Sequence, residues 1–452
     1  MSMLVRSAVP VVSAMFALFR LADATAQPPP PAAISSPIPR GTLDPAAPVA
    51  PMDEALREVE RDRIAAPVFE RYQAGDYSGA ARLGLPLVEG GSQSLRFAVA
   101  NSLAWTGRYD EASNQYRELF GTPYDARARV GLANVMRWRG QAHLAEPYYQ
   151  EVLGREPANA DAIEGLALAG RDLRPALTLR GTRTKDPELR RDELTISYRQ
   201  WSDERRFRLE AGLLGARLSS SLGHWSPRGV FASAWAPALP LAPQVDASYY
   251  DADASAGARL FGSVQIEPVK DQIKVRVGRV DWGRTAFSAG ATADGLTART
   301  AGAVAETGFA AGKLRARLDF YDISDGNKVA DGEAQLTPSW QPLPWRLTWF
   351  GGAYVREADR DDPRYWSPSH TYGVALVGVQ RYWSFDNAEL SATLRRGFKL
   401  TSSAGDSWSA GVNGRVWLRP NLALGVEGFV VDAPRPGSYR MHQVGAYLQR
   451  LL

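Results

Sequence analysis

Cysteine is absent from all 452 residues. That excludes a disulfide framework, a zinc–thiolate cluster, a thiol nucleophile and a lipid anchor on an N-terminal Cys. Beyond the extreme N-terminus no run of about 20 apolar residues occurs, which excludes a helical membrane span. It does not exclude a barrel, whose strands are only half apolar. Histidine is scarce, with 4 in the chain: His143, His224, His370 and His442. His143 reads as a solvated or packing residue of a helical stretch. His370 and His442 have no ligand partner at i+3 or i+4, so neither a metal nor a cofactor is expected. There is no Gly-rich phosphate loop and no nucleophile elbow. His224 sits in Ser-Leu-Gly-His-Trp-Ser-Pro near Ser219, Ser220 and Ser221. A loop His beside serines is ordinarily incidental, so no catalytic residue is assigned and the chain is not read as an enzyme. The formal net charge of +4 is mild for this length and gives no sign of a nucleic-acid partner.

What is present divides into four stretches. Residues 1–26 read as a secretory signal, with Arg6, an apolar run from Ala8 to Phe19, and Ala24-Thr25-Ala26 as a cleavage site. Residues 27–51 are rich in Pro and Ala and read as a linker without a core. Residues 52–174 carry helical periodicity and an internal repeat. Gly75-Asp76-Tyr77, Gly107-Arg108-Tyr109 and Gly140-Gln141-Ala142 recur with Ala80, Ala112 and Ala145 three residues on. The period of about 32–33 residues resembles the tetratricopeptide repeat. Three units and a final helix are counted. Such a stack implies a concave groove for a peptide, a partner or a polymer, and no reaction. Its candidate binding residues are Trp105, Tyr109, Tyr116, Trp138 and Tyr149.

From residue 175 to 452 the period becomes that of strands, interrupted by turn clusters such as Ser324-Asp325-Gly326-Asn327 and Asp361-Asp362-Pro363. Ile273, Val275 and Val277 alternate with Lys274, Arg276 and Gly278. Leu314, Ala316, Leu318 and Phe320 alternate with Arg315, Arg317 and Asp319. Phe207, Leu209 and Ala211 alternate with Arg206, Arg208 and Glu210. A greasy face outside and a charged face inside is the grammar of a membrane barrel, here of about sixteen antiparallel strands. The expected fold is therefore α+β and multidomain: a helical repeat array, then a transmembrane barrel. Tyr198 and Trp201, Tyr249 and Tyr250, Trp282, Trp345 and Trp349, Tyr365 and Trp366, and Tyr382 and Trp383 are expected in aromatic girdles. In such a barrel Arg206, Arg208, Lys274, Arg276, Arg315, Arg317, Arg395 and Arg415 line the lumen, with Asp319, Glu210 and Glu427 as fewer acids. Trp417 alternates with Arg415 and Arg419 and suits stacking on a sugar face. A one-sign lumen favours an anionic or strongly hydrogen-bonding solute. The competing expectation is that arginines pair with carboxylates and stiffen the wall.

Signal, repeat array and barrel in this order resemble bacterial exopolysaccharide export porins, the outer-membrane subunits of cellulose and poly-N-acetylglucosamine secretion. The segment Arg364-Tyr365-Trp366-Ser367-Pro368-Ser369-His370-Thr371-Tyr372 looks like a Tyr-aromatic-Ser-Pro-x-x-Tyr stretch of the cellulose type. This chain departs from the family in its short helical array and its cationic strand faces. The resemblance implies a passive conduit in the outer membrane of a Gram-negative bacterium with periplasmic repeats. Its partners would be an exopolysaccharide, outer-membrane lipid, and periplasmic or inner-membrane synthesis proteins. The alternative expectation is a surface receptor or adhesion protein, anchored by its barrel and reaching out through His224–Pro240 or Glu357–Ser369.

Overall fold

The computed structural model describes residues 52–452 apart from 203–205, 252–256, 270–271, 310–311, 339, 342, 344–346, 386 and 435–437. The expected signal and linker, and Trp345, lie outside the described residues. The chain forms two compact units that divide between Leu173 and Arg174.

The first unit is helical: α1 (Met52–Gln73), α2 (Tyr77–Gly84), a 3-10 turn at Leu85–Leu87, α3 (Gln93–Trp105), α4 (Tyr109–Arg117), α5 (Asp125–Trp138), α6 (Ala142–Arg155) and α7 (Ala160–Leu173). The repeat has a physical basis. Gly75, Gly107 and Gly140 end successive first helices at φ of 79°, 82° and 73°, a conformation that favours glycine. Tyr116 of α4 donates its hydroxyl to Asn101 Oδ1 at 2.6 Å, and Tyr149 of α6 repeats this with Asn134 at 2.7 Å. Each ring lies where a β-carbon on the next helix would stand: 2.4 Å from Gly131 for Tyr116, and 2.3 Å from Gly165 for Tyr149. Tyr116 and Tyr149 are thus buried, at 2% and 0% exposure, and lock adjacent helices together. They are not presented to a ligand, as the sequence reading had them. Burial pushes the Tyr149 phenol up to about 12.

The second unit is a closed antiparallel barrel of sixteen strands: β1 (Ala176–Lys185), β2 (Leu189–Trp201), β3 (Arg208–Ser220), β4 (Arg228–Trp235), β5 (Gln244–Asp251), β6 (Ala258–Val269), β7 (Ile273–Asp281), β8 (Thr297–Phe309), β9 (Gly312–Ile323), β10 (Lys328–Pro338), β11 (Thr348–Ala358), β12 (Tyr372–Ser384), β13 (Ala388–Lys399), β14 (Ser407–Arg419), β15 (Leu422–Pro434) and β16 (Ser438–Leu451). A three-residue strand, Gly223–Trp225, pairs with β3. Closure is made by β1 and β16, in register from Ala176↔Leu451 to Lys185↔His442. No edge remains unpaired, as any strand structure crossing a membrane requires.

Through the middle of most strands alternate residues divide by character, although Leu314 and Ala316 on the apolar parity of β9 are buried. One parity carries exposed apolar side chains, among them Leu177, Leu179, Leu194, Ile196, Leu213, Val230, Leu260, Val277, Val377, Leu394, Val412 and Val444. The other carries the charged and hydrogen-bonded network. The outer wall is therefore apolar and the interior polar. This parity corrects the girdle expectation. Residues adjacent on a strand point to opposite faces, so only one member of Tyr249–Tyr250 and of Tyr382–Trp383 can face outward, and Tyr198 and Trp201, three apart, likewise take opposite faces. Tyr198, Tyr249, Trp349 and Trp383 share the apolar parity. Trp201 packs inside against Trp235, ring centroids 6.0 Å apart, and Tyr250 bonds inside to Asp281 at 2.6 Å. Tyr382 shares the inner parity of β12 with Phe350's neighbour Gly378. Trp282, Tyr365 and Trp366 belong to no strand.

Gly131→Ala and Gly165→Ala should each weaken the helical unit by about 1–3 kcal/mol through overpacking against tyrosine. Gly170→Ala, with open space around its β-carbon, should be neutral or stabilise by about 0.5–1 kcal/mol. Urea titration of the helical far-UV signal in the full chain checks all three.

Candidate functional site

The barrel has two unlike ends. Connections at the end where β1 begins are no longer than that between Pro338 and Thr348. Those at the opposite end include the two longest, 282–296 and 359–371. Both fold inward.

The 282–296 connection contains two short helices, α8 (Trp282–Ala286) and α9 (Ala289–Ala293). They are capped by Asp281, which accepts from the Arg284 amide, and by Ser288, which accepts from Ala291. Phe287, Ala289 and Ala293 pack against Leu189, Ala216, Leu218 and Trp225 of β2, β3 and the strand beside them. Arg284 Nη2 meets Glu193 of β2 at 2.8 Å. A segment rooted between β7 and β8 thus reaches β2 and β3, which are several strands away round the wall. It crosses the mouth.

The 359–371 connection closes on it. Trp282, 1% exposed, lies between Tyr321 at 4.9 Å and Tyr365 at 5.6 Å. Arg364 is the hub: its guanidinium meets Asp294 at 2.9 Å, Asp325 at 2.6 Å and Asp362 at 2.7 Å, and its carbonyl accepts from Ser288. Tyr365 donates to Asp325 at 2.9 Å. The wall holds the loop from below. Buried Arg356 pairs with Asp331 at 2.9 Å and donates to the Trp366 carbonyl at 2.9 Å, while its guanidinium lies 4.9 Å from the Trp366 ring. Fully buried Asn327 bonds both the carbonyl and the amide of Arg360. The aromatic Ser-Pro segment is therefore the body of this inward loop, and Tyr372 at its end packs edge-on to Trp366 at 5.0 Å. Glu357–Ser369 does not reach outward as an adhesion loop would, and His224–Pro240 is largely the short strand and β4. The opening left beside the plug is a cavity of about 810 Å³, bounded by Asp186 and Glu188, Phe287, His370, Ser403 and Tyr439.

The inner wall holds the remaining sequence-predicted residues. Lys274 lies 3.4 Å from Glu267, Arg276 3.6 Å and Arg317 3.1 Å from Asp319, and Arg315 3.2 Å from Glu306. Arg395 lies 3.1 Å from Glu333 and Arg415 3.0 Å from Glu389. The wall is interleaved with both signs and not lined by one. Sequence reading missed Glu267, Glu306, Asp331, Glu333 and Glu389, although each stands on the same strand parity as the cations that were counted. Arg208 has a different neighbour, the Trp235 ring at 4.5 Å. Arg395 lies 5.5 Å from Phe350, Arg415 5.6 Å from Trp417, and Arg180 5.2 Å from Tyr447. Arg206 sits outside the strands, in the 202–207 connection, where its amide donates to Ser202. In the helical unit Trp105 stacks on Tyr72 at 5.7 Å and Trp138 lies 6.3 Å from Tyr109. A cavity of about 100 Å³ there is lined by Tyr72, Phe97, Asn101, Tyr124, Arg127 and Asp161.

The chain matches no family model and no curated protein sequence. It is similar in trace to a solved bacterial polysaccharide outer membrane secretin, at 14% identity and TM-score 0.49, over 62% of this chain and 99% of that one. Pseudomonas aeruginosa OccK11 (OpdR) aligns at 11% identity and TM-score 0.32, over 62% and 95%. A mutant of the Rh. blastica porin aligns at 10% and 0.31, over 61% and 99%. Likeness at this level assigns neither substrate nor role.

The hydrogen bond from Arg364 holds the Asp362 carboxyl below the usual carboxylate range, and the Ser369 hydroxyl and amide do the same for Asp361. A depressed carboxyl stabilises the folded form above its unfolded value of about 3.9, and that stability is lost as pH falls through the folded value. Protease resistance of the 359–371 loop should therefore be unchanged from pH 7 to 5 and fall only below about pH 4. Arg364→Ala should make the loop cleavable at pH 7 and raise single-channel conductance. An unchanged cleavage pattern would show that this hub does not hold the plug.

Proposed function

We propose that this chain is an outer-membrane conduit that exports a bacterial exopolysaccharide, with its helical repeats on the periplasmic side. The observation that carries the reading is the inner wall. Its guanidinium groups are paired with carboxylates and laid beside aromatic rings, as in Arg208 with Trp235 and Arg415 with Trp417. Such a surface offers flat apolar faces to sugar rings, and donors and acceptors to hydroxyls. Most of the cations described there already have a carboxylate partner, which weakens the pull on a free ion. The apolar outer wall supports the membrane placement.

The chain holds no energy source that this reading requires; polymerisation on the inner side drives the polymer outward. Trp201, Trp235 and Arg208 stand at the end of the barrel where β1 begins. On this reading they receive the polymer. The helical unit carries partially exposed rings, Trp105 and Trp138, suited to a synthesis protein or to the polymer itself. Paired walls favour a neutral, hydroxyl-rich polymer over a strongly charged one.

The test is the distribution of polysaccharide in a strain lacking the chain. Secreted polymer should disappear, with polymer retained or degraded inside. Complementation with Trp235→Ala should restore the protein but lower secretion several-fold. Unchanged secretion in the deletion strain would refute the export role.

A further inference from the structure

The outer wall is asymmetric in a way that the transport reading does not use. Near the end where β1 begins, outward positions are mostly apolar: Leu177, Leu209, Val245, Trp349, Leu418 and Leu448 share the lipid-facing parity, and Arg381 and Arg450 are exceptions. At the plugged end the same parity turns basic, most densely across β16, β1, β2 and β3. Cross-strand register sets His442 beside Lys185 and Lys185 beside Arg190. One row closer to the apolar band, Arg183 stands beside Asp192, and Asp192 beside Arg217. Arg440 flanks the patch on β16.

Five cations here face two carboxylates. Asp192 is held by Arg183 at 2.5 Å and by Arg190 at 2.7 Å, and Asp432 by Arg440 at 2.6 Å. Among the described residues Lys185 and Arg217 make no ion pair, and both are exposed. Strands lie about 4.8 Å apart, so the patch, from β16 to β3, spans four strands in roughly 15 Å measured across them. Exposed Val444 stands level with Arg183, and below the row, in register with Gly181 and then past it, lie Leu194, Leu179 and Leu213, all exposed. A cationic row directly above an apolar wall fits one kind of molecule: an amphiphile with anionic groups at its headgroup and acyl chains beneath.

We propose that this patch binds the phosphate groups of an anionic glycolipid of the lipopolysaccharide type, seated with its acyl chains against β16 to β3. The proposal rests on the membrane reading of the barrel. It also orients the chain. The plugged end faces the leaflet that holds this lipid, and the opposite end faces the periplasm. Free guanidinium and ammonium groups supply the phosphate contacts, and the Arg183–Asp192–Arg190 bridge fixes the geometry of the row.

The experiment uses the purified full chain and vesicles of neutral phospholipid doped with bis-phosphorylated lipid A or with its dephosphorylated form. Lipid retained per chain is measured by native mass spectrometry after detergent extraction. Wild type should retain the phosphorylated form at least about tenfold more. The variant K185E/R190E/R217E, and the milder K185Q/R190Q/R217Q, should lose that preference, while R450E at the other end keeps it. Equal retention of both lipids by wild type overturns the proposal and needs no variant. Displacement of the lipid by a soluble polyuronate at micromolar concentration also overturns it, because the patch would then serve an anionic polymer. Failure of the chain to float with any vesicle would instead overturn the membrane reading itself.

Discussion

Closing a sheet on itself leaves its polar groups with nowhere to go but inward, and that constraint shapes the rest of this barrel. Alternate side chains must point to the two faces. An apolar outer wall therefore puts each strand's charges into a shared interior, where an unpaired ion is costly. The interior answers with partners. Arg356 and Asp331, about 10% and 9% exposed, are the most enclosed pair, and removing either partner from such a pair costs on the order of 3–5 kcal/mol. Glycines make room where the wall is crowded: a β-carbon at Gly302 would collide with the Asp319 carboxylate, and one at Gly378 with the Phe350 ring.

The plug follows from the same chemistry. Two long connections could fold inward only by bringing their own partners, and they do so through one arginine. Arg364 gathers carboxylates from three connections, while Trp282 and Tyr365 supply the apolar contact beneath it. The loop is thus fixed to the wall by Arg356 and to its neighbour by Arg364. What remains open is displaced to one side, toward β12 to β16 and β1. On the proposed reading, a polymer leaves through that side, and the surface that meets the outer leaflet is a separate, outward-facing one.

The barrel was legible because its signal is periodic. Ile273, Val275 and Val277 against Lys274 and Arg276 declare two faces without any long-range knowledge. The helical repeat was legible for the same reason, through glycines about 33 residues apart. Pairing was not legible, because Arg276 meets Asp319 and Arg395 meets Glu333 across 43 and 62 positions respectively. Counting arginines on a few strands therefore suggested a cationic lumen that the full wall does not have. Tyr116 and Tyr149 read as display residues because both kinds of tyrosine look alike in sequence. Their burial depends on glycines in the following helix. The inward fold of 282–296 had no sequence signal beyond its length and its caps at Asp281 and Ser288.

On the proposed function the lumen serves an uncharged, hydroxyl-rich chain through paired charges and ring faces. Single-channel current in a planar bilayer tests it directly, with a linear neutral glycan added at the end of the barrel where β1 begins. Such a lumen should give discrete interruptions whose duration grows with glycan length, and a weak or absent response to a polyanion of equal length. Interruption by the polyanion alone would contradict it and would restore a lumen governed by net positive charge.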